Sequence, residues 1–133
     1  MTRENKDLLL KDLGARYPYK VHCCIYTMNG KIREKDDILY DIRSLGDNVQ
    51  TLKLINENPD ECFMYYQIKP YLRPMSSMTD EEWNEYNEAA GKDGVMVPLA
   101  NEIDWLNSHF FDYRGLIEKG LALEAPEEMY KND

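Results

Sequence analysis

The order of apolar and polar residues predicts a helix near the start of the chain. In residues 3–16 leucines recur at helical spacing, which puts Leu9 and Leu13 on one face. Tyr17 precedes Pro18, and a residue before proline is pushed out of the helical region. We therefore expect a short amphipathic helix that ends at about Tyr17.

Several short apolar segments after this helix have the length and alternation of β-strands. The first, KVHCCIYTMNGKI, contains Asn29-Gly30, a pair that favours the tight turn of a β-hairpin because both residues tolerate positive φ. Further strands are predicted at DILYDI, TLKLI and CFMYYQI, between the polar segments SLGDN and NENPDE. Together they predict an antiparallel meander of four or five strands, with Pro70 where the chain leaves the sheet.

The pattern becomes helical after the sheet. Thr79 and Glu82 have the spacing of a capping box, in which each side chain accepts a hydrogen bond from the other residue's backbone N–H. Met78 and Trp83 have the spacing of a hydrophobic staple, so we expect Trp83 to pack inward. A second helix is marked by apolar residues at i, i+4, i+7 and i+11, namely Leu99, Ile103, Leu106 and Phe110.

A third, shorter helix is predicted after Asp112, which resembles an N-cap, and Gly120 should close it. The fold class is therefore α+β: an antiparallel sheet of four to five strands, with an N-terminal helix and two to three C-terminal helices packed on one face. The predicted core consists of Leu9, Leu13, Val21, Cys23, Ile25, Leu52 or Ile55, Phe63, Trp83, Ile103, Leu106, Phe110 and Leu116.

Length and charge limit the domain organisation and the partners. A chain of 133 residues fits a single domain, 1–133, with a helix and sheet in residues 1–70 and a mainly helical, acidic part in residues 71–133. The net charge is −9, and seventeen of the 25 acidic residues lie after residue 50. This balance disfavours nucleic acid as a partner, because duplex binding needs clustered positive charge. An acidic half usually keeps a protein soluble, and less often it is a surface for a basic partner or imitates the phosphate charge of DNA.

The three cysteines, Cys23, Cys24 and Cys62, are too few to pair completely within the chain, and two of them are adjacent. The chain opens without the apolar segment of a secretory signal, and no apolar stretch approaches the ~20 residues of a membrane span. We therefore expect a cytoplasmic protein with reduced thiols.

The sequence contains no recognisable catalytic, cofactor or metal motif. A glycine-rich phosphate loop, a GxSxG elbow, a calcium loop and the CxxC spacing of zinc sites are all missing. One pairing stays open, in which Cys24 or Cys62 is a nucleophile and His109 its base. The acidic run at residues 80–88 is typical of a solvated helix face. We expect no enzymatic activity, no cofactor and no metal.

Two regions are candidates for binding. Aromatic and charged residues cluster around His109, and Tyr71 and Arg73 lie shortly before the helix that begins near Thr79. The predicted interaction surface is therefore Tyr71, Arg73, Trp105, His109, Tyr113 and Arg114. The other region is the N-terminal helix with the sheet. Its basic residues lie near three tyrosines, a combination that suits single-stranded nucleic acid. The basic residues are Arg3, Lys6, Lys11, Arg16 and Lys20, and the tyrosines are Tyr17, Tyr19 and Tyr26.

Two segments, IKPYLRPMSSMTDEE (68–82) and DWLNSHFFDYRGLIEKGLALEAPEEMYK (104–131), resemble a family of small uncharacterised proteins. That family is encoded in Bacteroides and related gut bacteria, largely in prophages and other mobile elements. The resemblance implies a bacterial, phage-associated setting, and it implies no activity, cofactor or catalytic residue.

Together these observations favour a non-enzymatic phage or mobile-element accessory protein that acts through protein–protein contacts. We expect an unidentified protein partner, no membrane, and a monomer or small homo-oligomer. The alternatives are a nucleic-acid-binding accessory protein that uses the N-terminal helix and sheet, and an acidic inhibitor that mimics DNA.

Overall fold

The computed structural model of this chain describes four ranges, residues 2–44, 50–58, 61–89 and 99–130. Helix α1 covers Arg3–Arg16, as predicted, and Thr2 caps it by accepting a hydrogen bond from the Asn5 N–H at 3.1 Å. A 3-10 turn at Tyr17–Tyr19 then leads into the sheet.

The sheet contains five strands: β1 (His22–Tyr26), β2 (Ile32–Ser44), β3 (Gln50–Leu54), β4 (Ile68–Leu72) and β5 (Leu123–Glu124). Their spatial order is β3-β2-β1-β4-β5, in which β4 and β5 pair in parallel and the other neighbours are antiparallel. The α+β class is confirmed, but the simple meander is wrong, because β4 returns to lie beside β1 as in a Greek key. Phe63 still pairs with Leu52 of β3, and a 3-10 turn at Tyr65–Gln67 then redirects the chain.

Pro70 lies inside β4, opposite Cys23 of β1, so the prediction that it marks the exit from the sheet is wrong. Backbone groups alternate sides along a strand. Leu72 directs its carbonyl toward β5, where the Ala125 N–H donates to it at 2.8 Å, so the nitrogen of Pro70 faces the same side. Because β5 pairs with Tyr71 and Leu72, past Pro70, the missing N–H removes no ladder hydrogen bond.

The core lies between one face of the sheet, α1 and the segment after α3. Its buried residues are Leu9, Leu13, Val21, Cys23, Ile25, Leu39, Leu52, Leu54, Phe63, Ile68, Leu72, Phe110, Leu116, Leu121 and Ala122. Ile55 is exposed, so Leu52 is the residue of that pair that packs inward. Trp83 and Ile103 were predicted in the core and are exposed.

The C-terminal half contains two helices in the described ranges, α2 (Asp80–Ala89) and α3 (Leu99–Ser108), and they pack on each other. The capping box of α2 is formed: the Thr79 N–H donates to the Glu82 carboxylate and the Glu82 N–H donates to the Thr79 hydroxyl, both at 3.1 Å. Because α2 packs on α3, Trp83 stays at the surface.

The predicted third helix is absent, and residues 116–120 form turns instead. The Asp112 carboxylate does accept hydrogen bonds from the N–H groups of Leu116 and Ile117, at 2.9 and 3.0 Å, as an N-cap would. Gly115 has a φ of +75° and Gly120 one of +73°, so the backbone leaves the helical region at both positions. Of the helices in the described ranges, none combines the length and apolarity that crossing a bilayer requires.

Candidate functional site

The six predicted interaction residues lie in three separate places. Three belong to a column of rings beside α2 and α3, two belong to a buried ion cluster, and one lies on the outer face of the sheet. In that order they are Arg73, Trp105 and His109, then Tyr113 and Arg114, then Tyr71.

The ring column consists of Arg73, Phe111, Trp105 and His109. The guanidinium carbon of Arg73 lies 4.2 Å from the centroid of the Phe111 ring, a cation–π contact. Phe111 and Trp105 are nearly parallel, with centroids 5.7 Å apart and an interplanar angle of 8°. Trp105 then stacks on His109 at 4.0 Å, so four flat groups succeed one another from the end of β4 outward.

A carboxylate holds the inner end of this column. Arg73 donates two parallel hydrogen bonds to Glu82, at 2.7 and 2.6 Å. These bonds, together with the N–H of Thr79, lower the pKa of Glu82 to about 2. Glu82 therefore caps α2 and fixes the guanidinium against Phe111, and both roles require its ionised form.

His109 forms the outer end of the column, and 35% of its side chain is exposed. Its Nδ1 lies 2.8 Å from the backbone oxygen of Trp105, and a carbonyl only accepts, so Nδ1 carries a hydrogen. Nε2 points outward and lies 3.9 Å from the carboxylate of Glu85. Ser108 also contacts Nδ1, at 3.1 Å.

The ring column continues sideways onto α2. The ring of Tyr86 lies 5.6 Å from that of Trp105, and the ring of Trp83 lies 5.6 Å from that of Tyr86. Tyr86 donates its hydroxyl hydrogen to Glu102, and burial together with this bond raises the pKa of Tyr86 to about 12. Trp83 has 46% of its surface exposed, so it is the solvent-facing end of a series of rings that contact one another.

The postulated cysteine–histidine pair is not formed in the structure. The described hydrogen bonds of His109 involve no sulfur. Cys62 instead lies 3.2 Å from the Nζ of Lys53, and Cys24 is buried in β1. Burial raises the pKa of the Cys23 thiol, as expected for a core residue. No group of three or more His, Cys, Asp or Glu side chains in the described ranges is placed to hold a metal ion.

Arg114 belongs to a buried ion cluster whose centre sequence reasoning missed. The ring of Tyr113 lies beside both guanidinium groups of this cluster, 5.4 Å from that of Arg16 and 4.4 Å from that of Arg114. Asp12 accepts from the Nε of Arg16 at 2.9 Å and from Arg114 at 2.7 Å, and the side chains of Asp12 and Arg16 are fully buried. Arg16 also donates to the carbonyl of Phe111 at 2.6 Å. The spacing of Asp12 and Arg16, four residues apart on a helix, was the available signal.

This cluster removes one residue from the basic patch predicted to bind nucleic acid, because Arg16 is buried and adds nothing to a basic surface. Lys6 also has a partner, since its Nζ lies 5.0 Å from the centroid of the Tyr65 ring.

Tyr71, the last of the predicted interaction residues, lies on the outer face of the sheet and donates to the carbonyl of Lys35 at 2.6 Å. Burial, followed by the nearby Cys24, raises the pKa of Tyr71 to about 12.

A second contact that sequence reasoning missed joins β1 to β4. The Tyr130 hydroxyl accepts a hydrogen bond from the His22 N–H at 2.9 Å and donates to the Tyr71 carbonyl at 2.7 Å. Its ring stacks on Phe110 at 3.9 Å, and burial raises the pKa of the phenol far above its ordinary value. The hydroxyl thus occupies a place where two strands would otherwise bond directly.

The fold and its surfaces define an α+β protein with a mostly antiparallel sheet and an aromatic surface on its C-terminal helices. No family model matches the chain, and neither a curated protein nor a solved structure matches it significantly.

Proposed function

We propose that this chain is a non-enzymatic accessory protein that binds another protein on the aromatic surface formed by Trp83, Tyr86, Trp105 and His109. The observation that carries the proposal is Trp83, which exposes 46% of its surface although it packs on a continuous series of rings. Tryptophan and tyrosine are enriched among the residues that dominate binding energy at protein interfaces. A partner that covered Trp83 would remove a large apolar area from water.

The support beneath this surface favours binding over mere exposure. Arg73 is fixed by two hydrogen bonds to Glu82 and by the face of Phe111, and Trp105 stacks on that same ring. Side chains that are already ordered lose little conformational freedom when a partner docks. The aromatic surface is therefore pre-organised.

The charge around the aromatic surface indicates a basic partner. The exposed carboxylate of Glu85 lies beside His109, and the first turn of α2 adds Asp80 and Glu81. The whole chain has a net charge of −9. Complementary charge accelerates encounter and excludes wrong partners. The resemblance to proteins of prophages and mobile elements fits an accessory role of this kind.

A capture experiment with matched variants tests the proposal. The full chain, Trp83→Ala and the control Met28→Ala are immobilised and exposed to bacterial lysate; Met28 is an exposed apolar residue near the β1–β2 turn, away from α2. We expect wild type and Met28→Ala to retain the same basic protein. Trp83→Ala should retain it about 30-fold less strongly, since an interface anchor contributes about 2 kcal/mol.

Equal retention by all three proteins would contradict the proposal, and so would the absence of any retained protein. Circular dichroism of Trp83→Ala shows whether α2 stays folded, which separates lost binding from lost structure. Because the Trp83 side chain is half exposed, we expect its removal to leave the helix intact.

A further inference from the structure

A cleft of about 420 Å³ opens between the 3-10 turn after β4 and the loop after α3. On the turn side its wall is Pro74, Met75 and Ser76, and on the loop side Ile117 and the ring of Tyr113 add apolar surface. This volume lies within the range of sites that hold small molecules or single side chains. The cleft is separate from the aromatic surface, because Trp83, Tyr86, Trp105 and His109 do not line it.

The polar side chains that line the cleft can all accept hydrogen bonds, and the carboxylates among them only accept. Asp112 and Glu118 provide two carboxylates and Ser76 a hydroxyl, and no cation is among the described residues of the lining. Arg114 is adjacent in sequence, but its guanidinium is directed to the buried carboxylate of Asp12 at 2.7 Å. The cleft therefore combines apolar walls with negative charge.

Backbone and capping hydrogen bonds hold the two walls in place. The Asp112 N–H donates to the carbonyl of Arg73 at 2.8 Å, which ties the loop to the end of β4. The carboxylate of Asp112 accepts from the N–H groups of Leu116 and Ile117, and each oxygen keeps a further lone pair. The Ser77 hydroxyl donates to the carbonyl of Pro74 at 2.7 Å, so the turn is also fixed.

We infer that this cleft binds a lysine side chain of the basic partner protein. A lysine has a four-carbon apolar stem and a compact ammonium group with three donors. The stem fits against Met75 and Ile117, and the ammonium fits between Asp112, Glu118 and the Ser76 hydroxyl. This inference rests on the proposed function, because the lysine belongs to the protein that covers Trp83.

Arg73 connects the cleft to the aromatic surface. Its carbonyl accepts the Asp112 N–H at the cleft, and its side chain lies on Phe111 beneath Trp105. A single partner that contacts both places would gain from two sites joined through a rigid residue.

A peptide titration followed by ¹⁵N NMR tests the inference without the partner. The probes are acetyl-Gly-Lys-Gly-amide and the same peptide with an Nε-acetylated lysine. Each is added to the full chain up to about 20 mM, because a Kd of 1 mM already requires about 4 kcal/mol and one side chain supplies less. We expect the charged peptide to shift the amide signals of Ser76, Gly115 and Glu118, and the acetylated peptide to leave them unchanged. Glu118→Gln should weaken binding about threefold to fivefold, as for a partly exposed ion pair.

The control variant is Glu128→Gln, which removes an exposed carboxylate that does not line the cleft and should leave the titration unchanged. Equal shifts with both peptides would overturn the inference, and so would equal weakening by both variants or no shifts at all. If the peptide fails while Trp83→Ala still loses the captured protein, the lysine cleft is wrong and the proposed function stands. If the peptide binds and no protein is captured, the cleft binds lysine, but the proposed function is wrong and the partner protein cannot be the source of that lysine.

Discussion

The replacement Asp12→Asn should destabilise the protein strongly, although it exchanges only one carboxylate oxygen for an NH₂ group. Asp12 is the shared acceptor of two guanidinium groups, and its side chain and that of Arg16 are fully buried. Asparagine keeps the size of the side chain, but it removes the charge and turns an N–H₂ donor toward donors. Arg16 would then be a buried cation without a counter-ion.

The magnitude follows from this burial. Removing one partner of a buried ion pair costs about 3–5 kcal/mol, because the remaining charge stays desolvated. Arg114 keeps 13% of its side chain exposed and can regain part of its hydration, so Arg16 dominates the loss. For a chain of 133 residues, about 4 kcal/mol corresponds to a fall in Tm of roughly 14 °C.

Urea unfolding followed by tryptophan fluorescence and circular dichroism measures this loss. The control is Asp7→Asn, an exposed acid on the same helix, which should change the free energy of unfolding by less than about 0.5 kcal/mol. The m-value should stay unchanged, since the surface exposed on unfolding is the same.

A loss below about 1 kcal/mol in Asp12→Asn, or one equal to that of Asp7→Asn, would refute the reasoning, because a fully buried counter-ion cannot be that dispensable. A triple variant, Asp12→Leu with Arg16→Met and Arg114→Leu, distinguishes charge from packing. We expect it to be more stable than Asp12→Asn, because no charge is left unpaired in it.

Two further predictions concern the sheet and the ring column. Tyr130→Phe keeps the ring but leaves the His22 N–H and the Tyr71 carbonyl without their bridge, so urea unfolding should show a loss of about 1–3 kcal/mol. Glu82 has a pKa lowered to about 2 by Arg73, so its ionisation stabilises the fold fully above pH 4.5 and progressively less down to about pH 2. In Glu82→Gln this part of the acid dependence, about 1–2 kcal/mol after solvent screening, should disappear, and an unchanged pH profile would contradict the assignment.

Local signals in the sequence predicted the parts of the fold that depend on neighbouring residues. The ends of α1, the capping box of Thr79 and Glu82, and the hairpin at Asn29-Gly30 all follow from interactions within about four residues. The order of the strands does not, because β4 pairs with β1 across more than forty residues of sequence. A meander was therefore the simplest prediction and the wrong one.

The same distinction applies to the candidate site. The sequence brought Trp105 and His109 together, since they are four residues apart on a helix. It could not show that Trp83 lies outside the core, because that depends on whether α2 packs on the sheet or on α3. Nor could it show that Arg114 reaches Asp12, a contact between residues 102 positions apart.

Tyr130 limits how early the sheet can be completed while the chain is being synthesised. Its hydroxyl joins β1 and β4 through a contact with His22 that spans 108 residues. At synthesis rates of about 5–20 residues per second, roughly 5–20 s separate the appearance of His22 from that of its partner. During that interval β4 already pairs with Cys23, Cys24 and Ile25, but the His22 N–H at the start of β1 still lacks the hydroxyl that accepts its hydrogen bond. The first strand of the sheet to be made is therefore among the last to complete its hydrogen bonds.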